Sequence, residues 1–380
     1  MFLSRGERPL RVLFTSTSYP LDASDWRGLF IKHISTALAR SGLINLRQWA
    51  PPGDRDFCVI DASTEEEAEW LAALMHRGGI SHWLRAKPVS GISAAIKLLR
   101  MLNTAYRRNK DVDLHHINWL QCALPLPADG KPVLVTALGN DMKLLRMPMM
   151  RHALRHALRN RPAMICPNAD WMREPLYESF GDLAEIRPIP FGVDPQWYAI
   201  RRQPKEPPCW LAITRLTQNK LGPLFEWSEP LFRSGKRQLH LFGPMQEQVV
   251  IPDWIFYHGP AKSRQLIDEW FPRVHGLITL SCHAEGRPQV MLEAMAAGMP
   301  IIASHLPAHA DIVEDGVTGA LCGSPSEYAK AVEKLEDRDL NHAQGETARA
   351  LAHGRIGTWD DCASRYMAAY RCLLKGAAHD

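Results

Sequence analysis

Four charged side chains in the second half of the chain have the types and spacing a ligand site would use: Arg215, Lys220, Glu285 and Glu293. The two glutamates bracket Gly286-Arg287-Pro288-Gln289-Val290-Met291-Leu292, and the stretch runs on to Gly298. It follows Gly276-Leu277-Ile278-Thr279-Leu280, which is apolar enough for a buried strand. Pro288 stands where the first turn of a helix tolerates proline, and Gly298 where a helix commonly stops. The pattern predicts strand, short loop and helix, with Glu285 in the loop and Glu293 inside the helix. Helix N-termini attract anions through unpaired N–H groups and the macrodipole. A carboxylate beside such a site is unfavourable unless it accepts hydrogen bonds from ligand hydroxyls. Phosphate donors combined with hydroxyl acceptors suit a sugar nucleotide. A capped core helix with two solvated glutamates fits this stretch equally well.

Arg215-Leu216-Thr217-Gln218-Asn219-Lys220 follows another apolar segment, Cys209 to Ile213. Open α/β sheets bind ligands beyond the carboxyl ends of their strands, and two cations there can neutralise a diphosphate. Alone, they read equally as surface charge.

The elements that would hold these residues form two series. Arg11 to Ser16 reads as a first buried strand, Leu29 to Arg40 as an amphipathic helix stopped by Gly42, and Ile44 to Trp49 as a second strand. Further short apolar strands are expected at Asp113–Ile117, Pro132–Thr136, Ala163–Cys166 and Ile186–Ile189, alternating with helices. A proline-rich, basic stretch from Pro188 to Pro208 reads as a hinge. A second series follows at Cys209–Ile213, Gln238–Phe242, Trp254–Tyr257, Gly276–Leu280 and Pro300–Ala303. The expected fold class is therefore α/β, with two doubly wound, Rossmann-like domains: residues 1–190, residues 191–357, and a closing helix in 358–380.

Bulk properties exclude several classes. A chain of 380 residues with 46% hydrophobic and 23% charged residues is globular and long enough for two cores. It has no run of about 18 apolar residues, and its N-terminus lacks the apolar core of a signal peptide. The eight cysteines are scattered, without CxxC or Cys/His metal spacing, which predicts reduced thiols in a cytoplasmic protein. A net charge of +4 is too small to imply nucleic acid. Residues 1–200 hold 25 Lys and Arg against 20 Asp and Glu, whereas the remainder holds 20 against 21. Two helical stretches, Ser93 to Lys110 and Met147 to Arg161, interleave basic residues with Leu, Met and Ala. That pattern fits either contact with an anionic membrane surface or a solvated helix face. Asp111-Val112-Asp113 opens a strand in the first domain and is rejected as a metal-binding acidic pair.

An ordered set of segments sharpens the reading. Ile189-Pro190-Phe191-Gly192-Val193-Asp194, Arg215 with Lys220, Leu241-Phe242-Gly243 and Tyr257-His258-Gly259 precede Glu285 to Glu293. Pro300 to Ser304 and Asp315-Gly316-Val317-Thr318-Gly319 follow it. In this order the chain resembles the retaining GT-B glycosyltransferases of family 4, the glycosyl transferases group 1. The resemblance is strong from Pro188 to Cys322 and weaker in the first domain. It implies a GT-B fold, with the two domains facing across a cleft, and a hexosyltransferase-type enzyme. That enzyme would move a sugar from a UDP- or GDP-linked donor to a glycan acceptor, with retention and without a metal or other cofactor. Carried onto matching positions, Glu293 would bind ribose hydroxyls and Glu285 the donor sugar. Gly286, Arg287, Pro288 and Gln289 would face sugar or phosphate, Gly243 and Gly259 would line the donor site, and Arg215 and Lys220 would stabilise the departing diphosphate. Arg287 is left with two readings, contact with the sugar or exposure to solvent. On the acceptor side the matching positions are Arg27, Gly28 and Asp141, with His115 or His116 replacing a histidine that relatives carry where this chain has Leu138.

The charge placement adds a lipid-linked oligosaccharide acceptor and peripheral membrane contact, in surface polysaccharide or glycolipid biosynthesis. Two other classes share the fold: a GT-B enzyme of different chemistry (a sugar-nucleotide epimerase or phosphorylase) and a catalytically silent scaffold subunit.

Overall fold

The structure, a computed structural model, describes residues 8–22, 25–283 and 285–376. The chain divides into two compact units. The first runs to Pro190 and takes back the C-terminal helix from Trp359; the second is Phe191–Thr358.

The first unit is built on a parallel sheet of β1 (Leu10–Thr15), β2 (Ile44–Trp49), β3 (Ile60–Asp61), β4 (Leu114–Asn118), β5 (Val133–Ala137), β6 (Ala163–Pro167) and β7 (Glu185–Ile186), in the order β3-β2-β1-β4-β5-β6-β7. Every residue of β4, β5 and β6 is buried, as expected of strands covered by helices on both faces. The chain order reverses at β1, which pairs with both β2 and β4. The Leu29–Arg40 helix buries Ile31, Ile34 and Leu38, a spacing that puts them on one face. The C-terminal helix, Trp359–Gly376, buries Tyr366 and Tyr370 completely against this sheet.

The first basic stretch forms a longer helix than its composition suggests, Pro88–Arg108, with proline in its first turn. It folds back on a short helix, Ile80–Ala86, so closely that a Cβ at Gly91 would lie 2.7 Å from the Leu84 Cα. The second is the Pro148–Leu158 helix.

The second unit repeats the plan with β8 (Cys209–Ile213), β9 (Gln238–Phe242), β10 (Ile255–Tyr257), β11 (Gly276–Thr279), β12 (Ile301–Ser304) and β13 (Gly319–Cys322), in the order β10-β9-β8-β11-β12-β13. The reversal falls at β8, which pairs in parallel with β9 and β11. One apolar cluster covers each face of this sheet, Leu211, Leu277 and Ile301 pointing into one and Trp210, Ile278 and Ile302 into the other. The sequence reading omitted β3 and β13. β3 is two exposed residues with no periodicity to read, and β13 is four residues following a turn.

Candidate functional site

The loops leaving β8, β9, β10, β11 and β12 meet at the carboxyl edge of the second sheet, which is where a doubly wound sheet presents ligand groups. β8 leads into Arg215 and then a one-turn helix, Gln218–Leu221, capped by Thr217, whose Oγ1 accepts from the Lys220 amide at 3.2 Å. β9 ends at Gly243, with φ 141° and backbone so close that a Cβ would stand 1.6 Å from the Thr214 carbonyl oxygen; only glycine fits there. The Gly243 amide donates to the Gly259 carbonyl at 2.8 Å, which ties the β9 and β10 loops together. Nothing lies within 4 Å of the Cβ position of Gly259, so that loop faces open space.

β11 leads through Ser281 to Glu285, whose carboxylate forms an ion pair with the Lys220 ammonium. Ser281 Oγ donates to the same carboxylate at 3.5 Å. Burial pulls the Lys220 ammonium and the Arg215 guanidinium below their ordinary pKa ranges, and the charge of Glu285 opposes both shifts. Lys220 thus pairs with Glu285, while Arg215, whose Nη1 donates to Gln246 Oε1 at 3.3 Å, feels the same carboxylate, so positive charge gathers at this edge of the sheet.

The Gln289–Ala296 helix starts at Pro288, has no side-chain cap and carries no acid in its first turn. Its other end is strongly held. Arg202 donates to the Gly298 carbonyl at 2.5 Å, and Arg349 donates to the Ala297 carbonyl at 2.7 Å. Cations at the C-terminal end complement the helix dipole and anchor the helix, while its N-terminal turn carries no side-chain cap. Burial, and then its neighbour Arg349, push the Arg202 guanidinium down to about 9. The sequence reading missed both arginines, because their partners are carbonyl groups from 52 to 96 residues away.

Glu293 sits mid-helix, only partly open to solvent. Burial, reinforced by the charge of Asp194, raises its carboxyl to about 8. At neutral pH the ligand-free group is therefore largely protonated and ready to donate one hydrogen bond as well as accept. The Gln289 side chain donates to the Gly192 carbonyl at 2.9 Å and so holds the Phe191–Asp194 turn beside Glu293. Of the two readings for Arg287, exposure to solvent is overturned. Its guanidinium reaches the Asp311 carboxylate at 3.1 Å and the Asp311 carbonyl at 3.0 Å, and both side chains are only 9% exposed.

A further residue, unread from the sequence, lies behind Glu285. His309 is fully buried, and its Nδ1–H donates to the Ser304 carbonyl at 2.9 Å. Ser304 Oγ donates to the Ser281 carbonyl at 2.6 Å, and Ser281 in turn contacts Glu285. Burial keeps the imidazole neutral, so its buried Nε2 presents a lone pair with no hydrogen-bond partner among the described residues. A lone histidine in an apolar segment gave no signal; only the meeting of the β11 and β12 loops reveals it.

In the first unit, two of the residues predicted for the acceptor side, Asp141 and His116, lie in the interior, while Arg27 stays partly exposed. Gly28 begins the Leu29–Arg40 helix with φ 72°, with the Ser18 carbonyl carbon and the Tyr19 amide nitrogen each 2.8 Å from its Cβ position. Arg27 is bound to Asp25 through Nε at 2.8 Å and Nη2 at 3.0 Å, and donates to the Met75 carbonyl at 3.0 Å. Asp141 is corrected to an interior group. It accepts from the amides of Leu138 at 2.7 Å and Leu120 at 3.2 Å, and burial raises it to about 7. His116 is corrected likewise. Its Nδ1 meets the Tyr370 hydroxyl at 2.5 Å and its Nε2 meets Thr136 Oγ1 at 2.8 Å, under the C-terminal helix. The adjacent His115 faces the other side of the sheet, edge-on to Tyr106. Among the described residues, no three His, Cys, Asp or Glu side chains are grouped to hold a metal ion. No described helix is long and apolar enough to cross a membrane.

The fold is that of the GT-B glycosyltransferases. The structure aligns with sucrose-phosphate synthase from Thermosynechococcus elongatus at a TM-score of 0.72 and 16% identity, over 97% of this chain and 100% of that one. It aligns with Anabaena HepE in complex with UDP-glucose at 0.62 and 16%, over 95% and 100%. Residues 215–338 match the family described as glycosyl transferases group 1. A D-inositol 3-phosphate glycosyltransferase of Streptomyces griseus is 32% identical over 127 residues, 33% of this chain and 26% of that protein. A namesake from Frankia alni is 28% identical over 150 residues, 38% of this chain and 35% of its own. The chain thus spans only about a quarter to a third of the length of these curated relatives. The solved structures thus show the GT-B fold, and the family match is confined to residues 215–338 of the second unit.

Proposed function

We propose that the protein is a retaining, family 4 hexosyltransferase that moves a sugar from a UDP- or GDP-linked donor to a lipid-linked glycan. Its setting would be surface polysaccharide or glycolipid biosynthesis on the cytoplasmic side of a membrane. The observation that carries the proposal is the convergence of Lys220 and Glu285, with Arg215 alongside, ahead of the helix that bears Glu293. In this reading Lys220 and Arg215 bind the diphosphate and stabilise the charge it gains on leaving. Glu285 then exchanges part of its pairing with Lys220 for hydroxyls of the donor sugar. Glu293 binds the ribose hydroxyls. HepE, whose complexes hold UDP and UDP-glucose, supports a nucleotide-sugar ligand for this fold.

For the chemical step we propose attack on the face from which the diphosphate departs. The bond between the anomeric carbon and the phosphate oxygen breaks, the acceptor oxygen bonds to that carbon, and the acceptor's proton passes to the departing phosphate. No side-chain base is then required, and the two cations take the part a metal would otherwise play. A double displacement would need a second carboxylate about 5–5.5 Å from the first, across the anomeric carbon.

A panel of UDP- and GDP-sugars, with release of nucleoside diphosphate as readout and EDTA present, tests the reading. One donor should support turnover, and NMR of the product should show the donor's anomeric configuration. Inverted product, or dependence on added metal, overturns the mechanism. No release with any donor favours the silent-subunit alternative, and isomerised donor without transfer favours an epimerase. The curated relatives' name brings a second acceptor, an inositol phosphate, into the same panel.

A further inference from the structure

From Trp70 to Lys110 the chain contains no Asp or Glu, yet it contains Arg77, Arg85, Lys87, Lys97, Arg100, Arg107, Arg108 and Lys110. This stretch includes the two helices Ile80–Ala86 and Pro88–Arg108, folded back to back across Gly91. The long helix buries Ala94, Leu98, Leu102 and Ala105 against the first unit. Its opposite face leaves Val89 87%, Ile92 56% and Ile96 46% exposed. These three side chains share the exposed face of the helix with Ser93, Lys97 and Arg100.

Not all the cations belong to this face. Arg108 is bound to Glu67, Arg77 lies over the Trp83 ring, and Arg107 donates to Asn103. Arg85 and Lys87 remain exposed at the elbow before Val89, and Arg100 beyond Ile96; Lys97, also exposed, has its ammonium 5.5 Å from the centre of the Trp70 ring. The result is an apolar tip of β-branched side chains between two pairs of cations, with no acid in the sequence around it. The other basic helix differs: its Arg155 is committed to Asp182 and the Ser179 carbonyl.

We propose that this helical elbow is the membrane-docking surface of the protein. Val89, Ile92 and Ile96 enter the headgroup region of an anionic bilayer, and Arg85, Lys87, Lys97 and Arg100 meet lipid phosphates. A basic helix without apolar side chains would suit nucleic acid or an acidic protein as well. Three exposed β-branched residues at the centre of the charge favour lipid, because they gain by leaving water only where an apolar phase receives them. The inference rests on the glycosyltransferase reading only for the acceptor it would bring within reach. Nucleotide release from a soluble donor is measured without vesicles, so the failure of either reading is seen separately.

The test is flotation of the full chain with phosphatidylcholine vesicles, with and without about 30% phosphatidylglycerol, at low salt and at about 0.15 M. Binding is expected to the anionic vesicles alone and to weaken with salt. Each surface cation contributes about fivefold, so R85E/K87E/R100E should lower partitioning by about a hundredfold or more. I92D and V89D should abolish it at unchanged thermal stability, since both side chains already face water. Equal binding to neutral vesicles, no flotation with anionic ones, or unaltered binding by I92D would each overturn the proposal. So would tight binding of a duplex oligonucleotide by the wild type that the three-charge variant loses while vesicle binding stays.

Discussion

The two units share one plan, an all-parallel doubly wound sheet with its chain reversal at the first strand, yet they spend their polar residues in opposite ways. In the second unit the charged groups lie beyond the strand ends. Lys220 and Glu285 face each other, half-buried, and the helix behind Glu285 is clamped by Arg202 and Arg349 at its far end only. In the first unit the corresponding groups turn inward. Asp141 holds two backbone amides, and His116 is bonded to Thr136 and to Tyr370 of the C-terminal helix. A polar residue at a strand end is thus not a site in itself. It becomes one only where its neighbours leave it partners to exchange.

The largest expected effect sharpens this contrast. Lys220→Ala and Glu285→Gln should each lower kcat/KM for donor turnover by about 10²–10³, with little change in thermal stability, since each removes transition-state or donor contacts from a preorganised pocket. His116→Phe should do the reverse, lowering the stability of the first unit by about 1–3 kcal/mol in urea unfolding and leaving kcat nearly intact. An activity loss in H116F as large as that of K220A, in fully folded protein, would break the comparison.

Acid titration separates the units further. Burial lowers His115 to about 4 and His116 to about 3 in the folded first unit, against an ordinary 6.5. Above 6.5 both states are neutral and nothing is lost. As pH falls from 6.5 towards 3, the unfolded chain takes up protons that the fold refuses, and stability declines. Replacing His116 with Phe should flatten that decline, as followed by thermal melts between pH 4 and 7.

Glu293 carries the opposite sign. Its carboxyl is raised from 4.5 to about 8, so the fold is favoured while the group is protonated and loses stability as pH rises from 4.5 to 8. Because the side chain keeps some contact with water, Glu293→Gln should stabilise the ligand-free protein at pH 8 by only about 1–2 kcal/mol. The same change should remove donor binding, a trade of function against stability that Asp141→Asn, with its two amide bonds to lose, should not show. A smaller effect is expected at His309. His309→Phe should raise the donor KM by less than about tenfold with kcat almost unchanged, because it acts through Ser304 and Ser281 on the placement of Glu285. Loss of kcat alone would assign it a different part.

Much of this was legible in the sequence. The segments Ile44–Trp49, Cys209–Ile213 and Gln238–Phe242 match the strand limits to the residue: Cys209–Ile213 is apolar throughout because both its faces are covered, whereas Ile44–Trp49 alternates, with Ile44 and Leu46 buried and Asn45 exposed. That Arg215, Lys220 and Glu285 come together was legible because the loops following successive parallel strands must emerge on one edge. Spacing along the chain therefore becomes proximity in space without further information. What the sequence could not determine was the partner of each polar side chain. His116 looked like a site residue until Tyr370, 254 positions away, took its Nδ1. Arg287 could have pointed to solvent until Asp311 drew it inward. Asp141 could have faced ligand until two backbone amides claimed it, and the Val89 face of the basic helix could have been covered. Periodicity reports which face of an element is buried; only the tertiary structure decides against what, because those partners arrive through contacts that local pattern does not encode.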